Sequence, residues 1–386
     1  MKKVTILGST GSIGRATLEV IDNFKQDFEV LGLSTNSRIK ILIEQVKRFH
    51  PKEIAVVNLN SAKLLERTFK KENVSLLLGK EGLNKLAQNH DTDILFLAIS
   101  GSDALFPLLK AIDSGKTIAL ANKEALVMAG PLIMQRLKSK KAKILPVDSE
   151  QSAIWQCIEG KDKKTVKKIY LTASGGPLKD IDKSAFKDLS LKEVLEHPCW
   201  KMGKKITVDS ATLMNKGLEL FETMYLFDVD ISQIEVLIHP EAIIHSMVEF
   251  IDGSILAQLS YTDMRIPIQY ALTYPERKGG FLPTVDFIKL KHLSFYKPDL
   301  SKFPSLDLAY EVARKGGTLP AVLNSANEVA VEAFLKGKIG FLSIFKIIKD
   351  VVKLHKSIVF PDLEEVISAH QWAKIKAQQL VEEYRR

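Results

Sequence analysis

Cysteine is scarce in this chain. Only Cys157 and Cys199 occur among 386 residues, which excludes a disulfide framework and fits a reducing compartment. No apolar run approaches the ~18 residues that a membrane span requires. The chain enters a predicted strand at Val4–Leu7 without a preceding export segment. We therefore expect a cytoplasmic protein that has no membrane partner.

The basic residues lack the pattern typical of nucleic-acid binding. The net charge is +9, but the lysines are scattered, and the densest groups (138–143 and 161–168) contain no aromatic side chains. We expect no nucleic-acid partner. The surplus charge favours a solvated basic surface or a field that attracts an anionic small molecule.

Short apolar segments alternate with segments of helical periodicity in the first 150 residues. Val, Ile and Leu dominate the apolar segments, as in strands of a parallel sheet covered on both faces. The pattern predicts an α/β fold that begins with a doubly wound, Rossmann-like domain over residues 1–148. The predicted strands are Val4–Leu7, Phe28–Leu33, Ile54–Val57, Val74–Leu78, Ile94–Ile99, Thr117–Ala121 and Ile144–Val147, with helices at Ala16–Phe24, Ile39–Phe49 and Ala104–Ile112.

The remaining chain changes pattern twice. The pattern of residues 149–274 predicts a central α+β domain. Residues 275–299 contain several Pro and Gly residues, which is typical of a linker. Residues 300–386 predict a helical bundle whose apolar stripes form a core. The central domain has predicted strands at Val166–Ser174, Ile206–Val208 and Glu235–Ile238, a helix at Thr212–Phe227, and a hairpin of Met247–Ile251 and Ser254–Leu259 around Asp252-Gly253. The bundle helices are Leu306–Lys315, Leu319–Leu335, Leu342–Leu354 and Leu363–Tyr384.

Three glycines, Gly8, Gly11 and Gly14, follow the first predicted strand and open the first helix. Glycines there permit a tight turn and let backbone N–H groups approach a pyrophosphate. The spacing differs from the commoner G-x-G-x-x-G, and a purely structural turn is the alternative. The second predicted strand runs into Leu33–Arg38 without an acid that would repel a 2′-phosphate. Arg38 favours NADP, although it could instead be a solvated helix-start residue.

Two polar segments are candidates for a metal and phosphate site. Asp148 and Glu150 follow the last predicted parallel strand, where open α/β sheets bind ligands, and carboxylates suit Mg²⁺ or Mn²⁺. The alternative is a helix cap followed by a first-turn acid. In the second segment, Lys216 and Glu219 share a helix face, with Ser210 and Asn215 nearby. Capping plus a Lys–Glu pair is the alternative there.

At these residues the sequence closely resembles the 1-deoxy-D-xylulose 5-phosphate reductoisomerase family of the non-mevalonate route to isoprenoids. The resemblance covers nearly the whole chain, and we know no other family that joins these motifs in this order. The matching segments are Leu7–Gly14, Ala121–Leu126, Leu145–Glu150, Leu171–Pro177, His197–Met202, Lys205–Glu219, Val236–Met247 and Met264–Ile268.

The resemblance implies a role for each matching residue. The implied metal ligands for Mg²⁺ or Mn²⁺ are Asp148, Glu150 and Glu219. The implied NADPH-binding residues are Gly8, Thr10, Gly11, Ser12, Ile13, Asn36, Ser37, Arg38, Asn122, Glu124 and Gly203. The implied substrate-binding residues are Lys123, Ser149, Glu150, Ser174, His197, Trp200, Ser210, Asn215, Lys216 and Glu219, of which Lys123, Glu150, His197 and Lys216 are the catalytic candidates.

Some residues depart from the family pattern or admit another interpretation. The loop Thr35–Arg38 differs from the Gly-Lys-Asn or Gly-Arg-Asn of many members, and Cys199 replaces a frequent Asn. His239 and His245 lack the spacing of a zinc pair, and the resemblance places His245 near the substrate. Trp200 is either a core aromatic or, with His197, part of a mobile lid.

The resemblance implies NADPH-dependent isomerisation and reduction of 1-deoxy-D-xylulose 5-phosphate to 2-C-methyl-D-erythritol 4-phosphate. It also implies a homodimer formed through the sheet of the middle domain. The alternative enzyme is a plain NADP-dependent dehydrogenase of another phosphorylated or semialdehyde substrate, which would not need three carboxylates. A catalytically inert NADP sensor is a third hypothesis, and it would need neither the carboxylates nor Lys216.

Overall fold

A computed structural model describes residues 1–63, 65, 74–200 and 202–385, so Lys201 of the segment His197–Met202 lies outside the described residues. The chain forms two compact units that alternate along the sequence. Unit one comprises Met1–Ala125, Ile133–Ser152 and Met264–Leu282, and unit two comprises Leu126–Leu132, Ala153–Asp263 and Pro283–Arg386. The boundaries of three domains and a linker, at residues 148, 274 and 299, stay a prediction.

Unit one contains a seven-stranded sheet of order β4-β3-β2-β1-β5-β6-β7. Every pairing in it is parallel, and Leu7 lies opposite Leu97 at the carboxyl end of the central pair. Its central residues, such as Val4 and Ile6, are completely buried because helices cover both faces. The strands are β1 (Lys2–Leu7), β2 (Phe28–Thr35), β3 (Glu53–Val56), β4 (Ser75–Leu78), β5 (Ile94–Leu97), β6 (Thr117–Leu120) and β7 (Lys143–Pro146). The predicted Rossmann-like sheet is confirmed.

Sixteen helices are bounded within the described residues. They are α1 (Ser12–Asn23), α2 (Ile39–Phe49), α3 (Leu59–Lys63), α4 (Gly79–Ala87), α5 (Leu105–Asp113), α6 (Glu124–Ser139), α7 (Ser149–Ile158), α8 (Leu191–Leu195), α9 (Lys204–Ala211), α10 (Met214–Phe227), α11 (Arg265–Thr273), α12 (Phe287–Leu290), α13 (Pro304–Lys315), α14 (Leu319–Leu335), α15 (Phe341–Leu354) and α16 (Leu363–Glu383). None of the helices in the described ranges has the length and hydropathy of a membrane span.

Unit two combines a four-stranded sheet with the helical bundle. The sheet, of order β11-β10-β8-β9, consists of β8 (Val166–Ala173), β9 (Ile234–Ile238), β10 (Ile244–Phe250) and β11 (Ile255–Leu259). Strand β9 pairs in parallel with β8, whereas β10 is antiparallel to both β8 and β11. The hairpin turn is closed by a bond from the Phe250 N–H to the Ser254 carbonyl, with Gly253 at positive φ. The central α+β region and its hairpin are thus confirmed.

Helices α13 to α16 form the bundle, in which α14 packs against all three of the others. Helix α14 is almost entirely buried and carries the polar residues Asn324, Ser325 and Asn327 within its buried surface. The predicted C-terminal bundle is therefore confirmed. A buried helix with buried amides is unusual, because such groups lose hydration unless they find partners.

The predicted strand Ile206–Val208 is wrong, because these residues lie within α9. The prediction followed the β-branched side chains of Ile206, Thr207 and Val208, which favour strands. In the structure the Thr207 hydroxyl donates to the Gly203 carbonyl four residues earlier, a bond that only a helix allows, at 3.0 Å. Burial of one helix face overrides the local preference here.

Candidate functional site

The turn between β1 and α1 has no space for a side chain at Gly8 or at Gly14. A Cβ on Gly14 would lie 2.4 Å from the Gly8 carbonyl oxygen, and one on Gly8 would lie 2.6 Å from the Ala98 carbonyl oxygen. Gly8 also has a φ of 90°, which favours glycine. The loop therefore turns tightly, and α1 begins at Ser12 with no side-chain cap from Gly11 on its first N–H groups. Uncapped N–H groups at a helix start are suited to an anion.

A cavity of about 410 Å³ opens beside this loop in unit one. Three hydrogen bonds hold residues of its wall in place. The Arg38 Nη1 donates to the Thr10 carbonyl at 3.1 Å, and the hydroxyls of Thr10 and Thr35 are 2.7 Å apart. The Gly8 N–H donates to the Ser34 hydroxyl at 2.9 Å. The volume lies in the range of small-molecule sites. Of the predicted cofactor residues, Gly8, Thr10, Gly11, Asn36, Ser37 and Arg38 line this cavity, whereas Ser12 and Ile13 begin α1 beside it.

Asn122 and Glu124 are joined in the same unit. The Asn122 amide donates to Glu124 Oε2 at 2.9 Å and to the carbonyls of Ile99 and Gly101 at 2.9 and 3.0 Å. Ile99 lines the cavity, so Asn122 connects the segment after β6 to the cavity wall. Both side chains are buried.

The far wall of the cavity was not predicted from the sequence. Asn84 and Leu83 of α4 and Phe106 and Pro107 of α5 line it, together with Lys80 and Asp103. These residues belong to no phosphate-binding motif, and ordinary helix residues gave no indication of a ligand. Apolar and amide groups suit the adenosine part of a dinucleotide.

The carboxylates after β7 contact polar groups of their own segment and a lysine. Asp148 Oδ1 accepts from the N–H of the adjacent Ser149 at 3.0 Å. This bond does not test the capping alternative, because a cap accepts from the second or third N–H of the helix. Asp148 Oδ2 lies 2.6 Å from the Lys123 ammonium, and these two side chains are only 16% and 8% exposed. The Ser149 hydroxyl donates to Glu150 Oε2 at 2.6 Å. These charged contacts go beyond what a helix cap requires.

His197 in unit two joins two serines. Its Nε2 lies 3.2 Å from the hydroxyls of both Ser174 and Ser210, and its Nδ1 accepts from the backbone N–H groups of Cys199 and Trp200 at 3.2 and 2.9 Å. Burial lowers the pKa of His197 from 6.5 to about 4. Because Nδ1 is an acceptor and the ring is neutral at pH 7, the proton of the imidazole resides on Nε2 and is donated towards the serines.

The loop that carries His197 also brings Trp200 against His245. Their ring centroids are 5.9 Å apart, and the Cys199 thiol lies 3.4 Å from the Pro240 carbonyl oxygen. Gly203 ends this loop as the residue preceding α9, and a Cβ there would meet nothing within 4 Å. His239 does not belong to this group: its Nε2 accepts from the N–H groups of Ile243 and Ile244, which is a structural role.

Helix α10 presents a buried charge pair at its start. The Glu219 carboxylate accepts from the Lys216 ammonium and, at 2.5 Å, from the Asn215 amide. Lys216 is 4% and Glu219 0% exposed. Gly217 permits this depth, because a Cβ on it would lie 2.7 Å from Ala309 Cβ of α13.

The chemistry of these groups fits a hard divalent cation. Asp148 and Glu150 of unit one and Glu219 of unit two supply only oxygen donors, which Mg²⁺ and Mn²⁺ prefer. Asp148 and Glu219 each form an ion pair with a lysine, Lys123 and Lys216 respectively. The Lys216–Glu219 ion pair that was predicted from the sequence as the alternative is therefore present. Such a pair is compatible with cation binding by the same carboxylate.

Three family models match successive parts of the chain. The model described as 1-deoxy-D-xylulose 5-phosphate reductoisomerase matches residues 4–130, its C-terminal domain model matches residues 144–227, and a DXP reductoisomerase C-terminal domain matches residues 259–376. Together they cover most of the chain in a single order.

Complete proteins and solved structures agree with these models. The 1-deoxy-D-xylulose 5-phosphate reductoisomerases of Thermodesulfovibrio yellowstonii and Thermoanaerobacter pseudethanolicus are 50% and 49% identical, over 99% and 97% of this chain and 100% and 98% of theirs. A DOX-P reductoisomerase crystallised with NADPH, fosmidomycin and magnesium superposes with a TM-score of 0.96 at 39% identity, covering 99% of this chain and 98% of that one. The Zymomonas mobilis enzyme with NADPH gives 0.92 at 40% identity, covering 99% of both chains. This chain belongs to the 1-deoxy-D-xylulose 5-phosphate reductoisomerase family.

Proposed function

We propose that this chain converts 1-deoxy-D-xylulose 5-phosphate and NADPH into 2-C-methyl-D-erythritol 4-phosphate and NADP⁺ with the help of Mg²⁺ or Mn²⁺. The observation that carries the proposal is identity of about half over the full length of reductoisomerases. A structural neighbour at 39% identity binds NADPH and magnesium together. The chain is accordingly a divalent-metal-dependent oxidoreductase.

NADPH is assigned to the cavity beside the glycine loop. Gly8, Thr10, Gly11, Ser12 and Ile13 would hold the pyrophosphate and ribose, because a glycine turn at a helix start lets backbone N–H groups approach a phosphate. Asn36, Ser37 and Arg38 would hold the 2′-phosphate: a guanidinium has five N–H donors, and the Thr10 carbonyl takes one of them. The remaining proposed contacts with the cofactor are Asn122, Glu124 and Gly203.

The metal is assigned to Asp148, Glu150 and Glu219. A bound divalent cation acts as a Lewis acid that polarises oxygens of the substrate. Lys123 and Lys216 pair with two of these carboxylates and so restrain their orientation. Ser149 restrains Glu150 through its hydroxyl, and on this assignment it also lies beside the substrate.

The substrate phosphate is assigned to the group of donors in unit two. Ser174 and Ser210 face the protonated Nε2 of His197, so all three groups can donate to the oxygens of one phosphate. Asn215 and Lys216 extend this set from the start of α10. Binding energy from the phosphate then orients the reacting carbons, which lie elsewhere in the substrate.

The chemistry consists of a carbon-skeleton rearrangement, of the retro-aldol and aldol type, followed by reduction of the resulting aldehyde. NADPH supplies the hydride for that reduction. On this proposal, Lys123 and Lys216 stabilise negative charge that develops on substrate oxygens, while His197 and Trp200 close a lid that excludes water. Glu150 both binds the metal and contacts the substrate.

Further observations support a homodimer and a cytoplasmic location as parts of the proposal. Strand β11 is an edge strand whose Ile255 and Leu256 side chains are exposed, and pairing of this surface in a homodimer would cover them. The two cysteines are free, and burial raises the pKa of Cys157 to about 11, which suits a structural thiol in the cytoplasm. We assign the protein no nucleic-acid partner.

The proposal is tested by incubating the purified protein with NADPH, Mn²⁺ and 1-deoxy-D-xylulose 5-phosphate. The nicotinamide absorbance should fall only when all three are present, and mass spectrometry should identify the branched polyol phosphate. Consumption of NADPH with an unbranched product would instead support a plain dehydrogenase. Absence of any consumption by folded, NADPH-binding protein would support an inert sensor.

A further inference from the structure

A buried hydrogen bond joins the C-terminal bundle to α9, the helix that contains the proposed phosphate-binding residue Ser210. The amide of Asn327 on α14 donates to Asp209 Oδ1 on α9 at 2.9 Å, across 118 residues of sequence. Asp209 Oδ2 lies 2.8 Å from the Lys205 ammonium one turn earlier on α9. Asp209 is 1% exposed and Asn327 is 0% exposed. Each oxygen of this buried carboxylate thus has its own donor.

We propose that Asn327 is a positioning residue for the substrate phosphate and acts through Asp209. The inference rests on the proposed function, in which Ser210 and the start of α10 hold that phosphate. Asp209 immediately precedes Ser210. Its orientation therefore determines where the end of α9 places the Ser210 hydroxyl opposite His197.

The end of α9 has little freedom to move independently. A Cβ on Gly176 would lie only 2.5 Å from the Ser210 carbonyl oxygen, so the loop after Ser174 packs directly on this point. Asp209 also reaches α10, because its carbonyl accepts from the Thr212 hydroxyl at 3.1 Å and that hydroxyl accepts from the Met214 N–H at 3.3 Å. A change in the conformation of Asp209 would consequently disturb both Ser210 and the start of α10, the two parts of the proposed phosphate site.

Packing alone does not explain why position 327 carries an amide. Its Oδ1 is buried and has no hydrogen-bond partner within the described ranges, so the amide carries a desolvation cost that an apolar side chain would avoid. What the amide contributes is its bond to Asp209. A buried carboxylate that loses one donor is costly to leave in place and tends to reorient.

Asn324 provides a matched control on the same helix. It is also 0% exposed and also has a buried Oδ1 without a partner in the described part of the chain, but its amide donates to Glu328 at 3.3 Å and not to Asp209. Asn324→Ala and Asn327→Ala therefore remove the same atoms from the same buried helix. Only the second removes the support of Asp209.

The test is steady-state kinetics of both variants beside the parent enzyme. Asn327→Ala should raise KM for 1-deoxy-D-xylulose 5-phosphate about tenfold, with kcat within about threefold and KM for NADPH unchanged. Asn324→Ala should leave KM for the sugar phosphate within about twofold. A general loss of folded protein would lower kcat and leave both KM values unchanged, so it cannot imitate this result.

Asn327→Thr, which fills a similar volume without an amide that reaches Asp209, should show the same rise in KM if the alanine variant does not fold. Equal KM values for the position-327 and position-324 variants would overturn the inference, as would a change in kcat alone. An inactive parent would instead contradict the proposed function, so the two failures are distinguishable.

Discussion

At the residue scale, Arg38 is the group that should distinguish the two nicotinamide cofactors. Arg38→Ala removes a charge-assisted contact worth roughly 1.5–3 kcal/mol, so the Kd for NADPH should rise about 10- to 150-fold. The Kd for NADH should barely change. Fluorescence titration of both cofactors measures this.

Arg48→Ala is the matched control for Arg38. Arg48 lies in the last turn of α2, the helix that Arg38 immediately precedes, and it pairs with Asp22 at 2.5 Å, outside the cavity lining. Its removal should alter neither Kd. Equal losses of NADPH and NADH affinity in Arg38→Ala would show that Arg38 supports the Thr10 loop and does not recognise the 2′-phosphate.

His197 gives a prediction for pH. Burial lowers its pKa from 6.5 to about 4, so the folded protein keeps the ring neutral while the unfolded chain takes up a proton near pH 6.5. Between pH 6.5 and 4 the unfolded state binds more protons, and the free energy of unfolding should therefore fall as pH decreases through this window. Above pH 6.5 the contribution is complete.

NMR titration of the imidazole measures this pKa directly, with His197→Gln used to assign the resonance. The ring should remain neutral at pH 5.5, with its proton on Nε2. A midpoint near 6.5, or a proton on Nδ1, would refute the donor role assigned to this ring beside Ser174 and Ser210.

At the element scale, the loop between β1 and α1 depends on Gly14 more than on Gly11. A Cβ at Gly14 would meet the backbone of Gly8 and Ser9 at 2.4 and 2.5 Å, whereas one at Gly11 would meet only the Gly8 carbonyl oxygen, at 3.3 Å. Gly14→Ala should reduce the free energy of unfolding by about 1–3 kcal/mol, as overpacking does, and abolish NADPH binding. Gly11→Ala should reduce it by less than about 1 kcal/mol.

Urea unfolding and NADPH titration of the two variants provide the measurement. If both substitutions had the same effect on unfolding, the close backbone approach at Gly14 would not be what shapes the loop.

The elements that were predictable from sequence are those in which local preference and burial agree. The central strands of unit one, such as β1, β2 and β5, are rich in Val, Ile and Leu and largely buried, and each of the seven strands was expected within a few residues of its place. The helix Ile39–Phe49 was expected with its observed bounds. The segment Ile206–Val208 failed because β-branched residues there lie on a helix.

Other features could not be predicted from the sequence, because their local pattern is irregular or because they depend on contacts between distant residues. Helix α6 was given no bounds from the sequence, and in the structure it contains Pro131 and a non-helical residue at Ala129, which interrupt its regular period. The wall of the cofactor cavity at Asn84 and Phe106 has no local motif, because it exists only once two helices are packed beside the glycine loop. The Asn327–Asp209 bond spans 118 residues and leaves no trace in any short segment.

At the scale of the whole molecule, the proposal assigns cofactor and substrate phosphate to different units. On this proposal NADPH would bind through the glycine loop of unit one and the phosphate through Ser174, Ser210 and Lys216 of unit two. The metal would be held by Asp148, Glu150 and Glu219. The residue types for all three were evident in the sequence, but the hydrogen bonds that hold each side chain in place were not. Cofactor binding and metal binding should therefore be separable by substitution.

The most direct test of this account is a calorimetric Mn²⁺ titration beside a turnover assay for Glu219→Gln. Glu222→Gln is the control, since Glu222 is buried on the same helix and is not a proposed ligand. Glu219→Gln should bind Mn²⁺ weakly and lose most of its turnover, with the Kd for NADPH within roughly threefold of the parent, a change below ~1 kcal/mol. Glu222→Gln should keep the Mn²⁺ affinity of the parent. Metal-free parent enzyme that reduced the sugar phosphate at the full rate, or a Glu219→Gln variant with unchanged Mn²⁺ binding and turnover, would contradict the account.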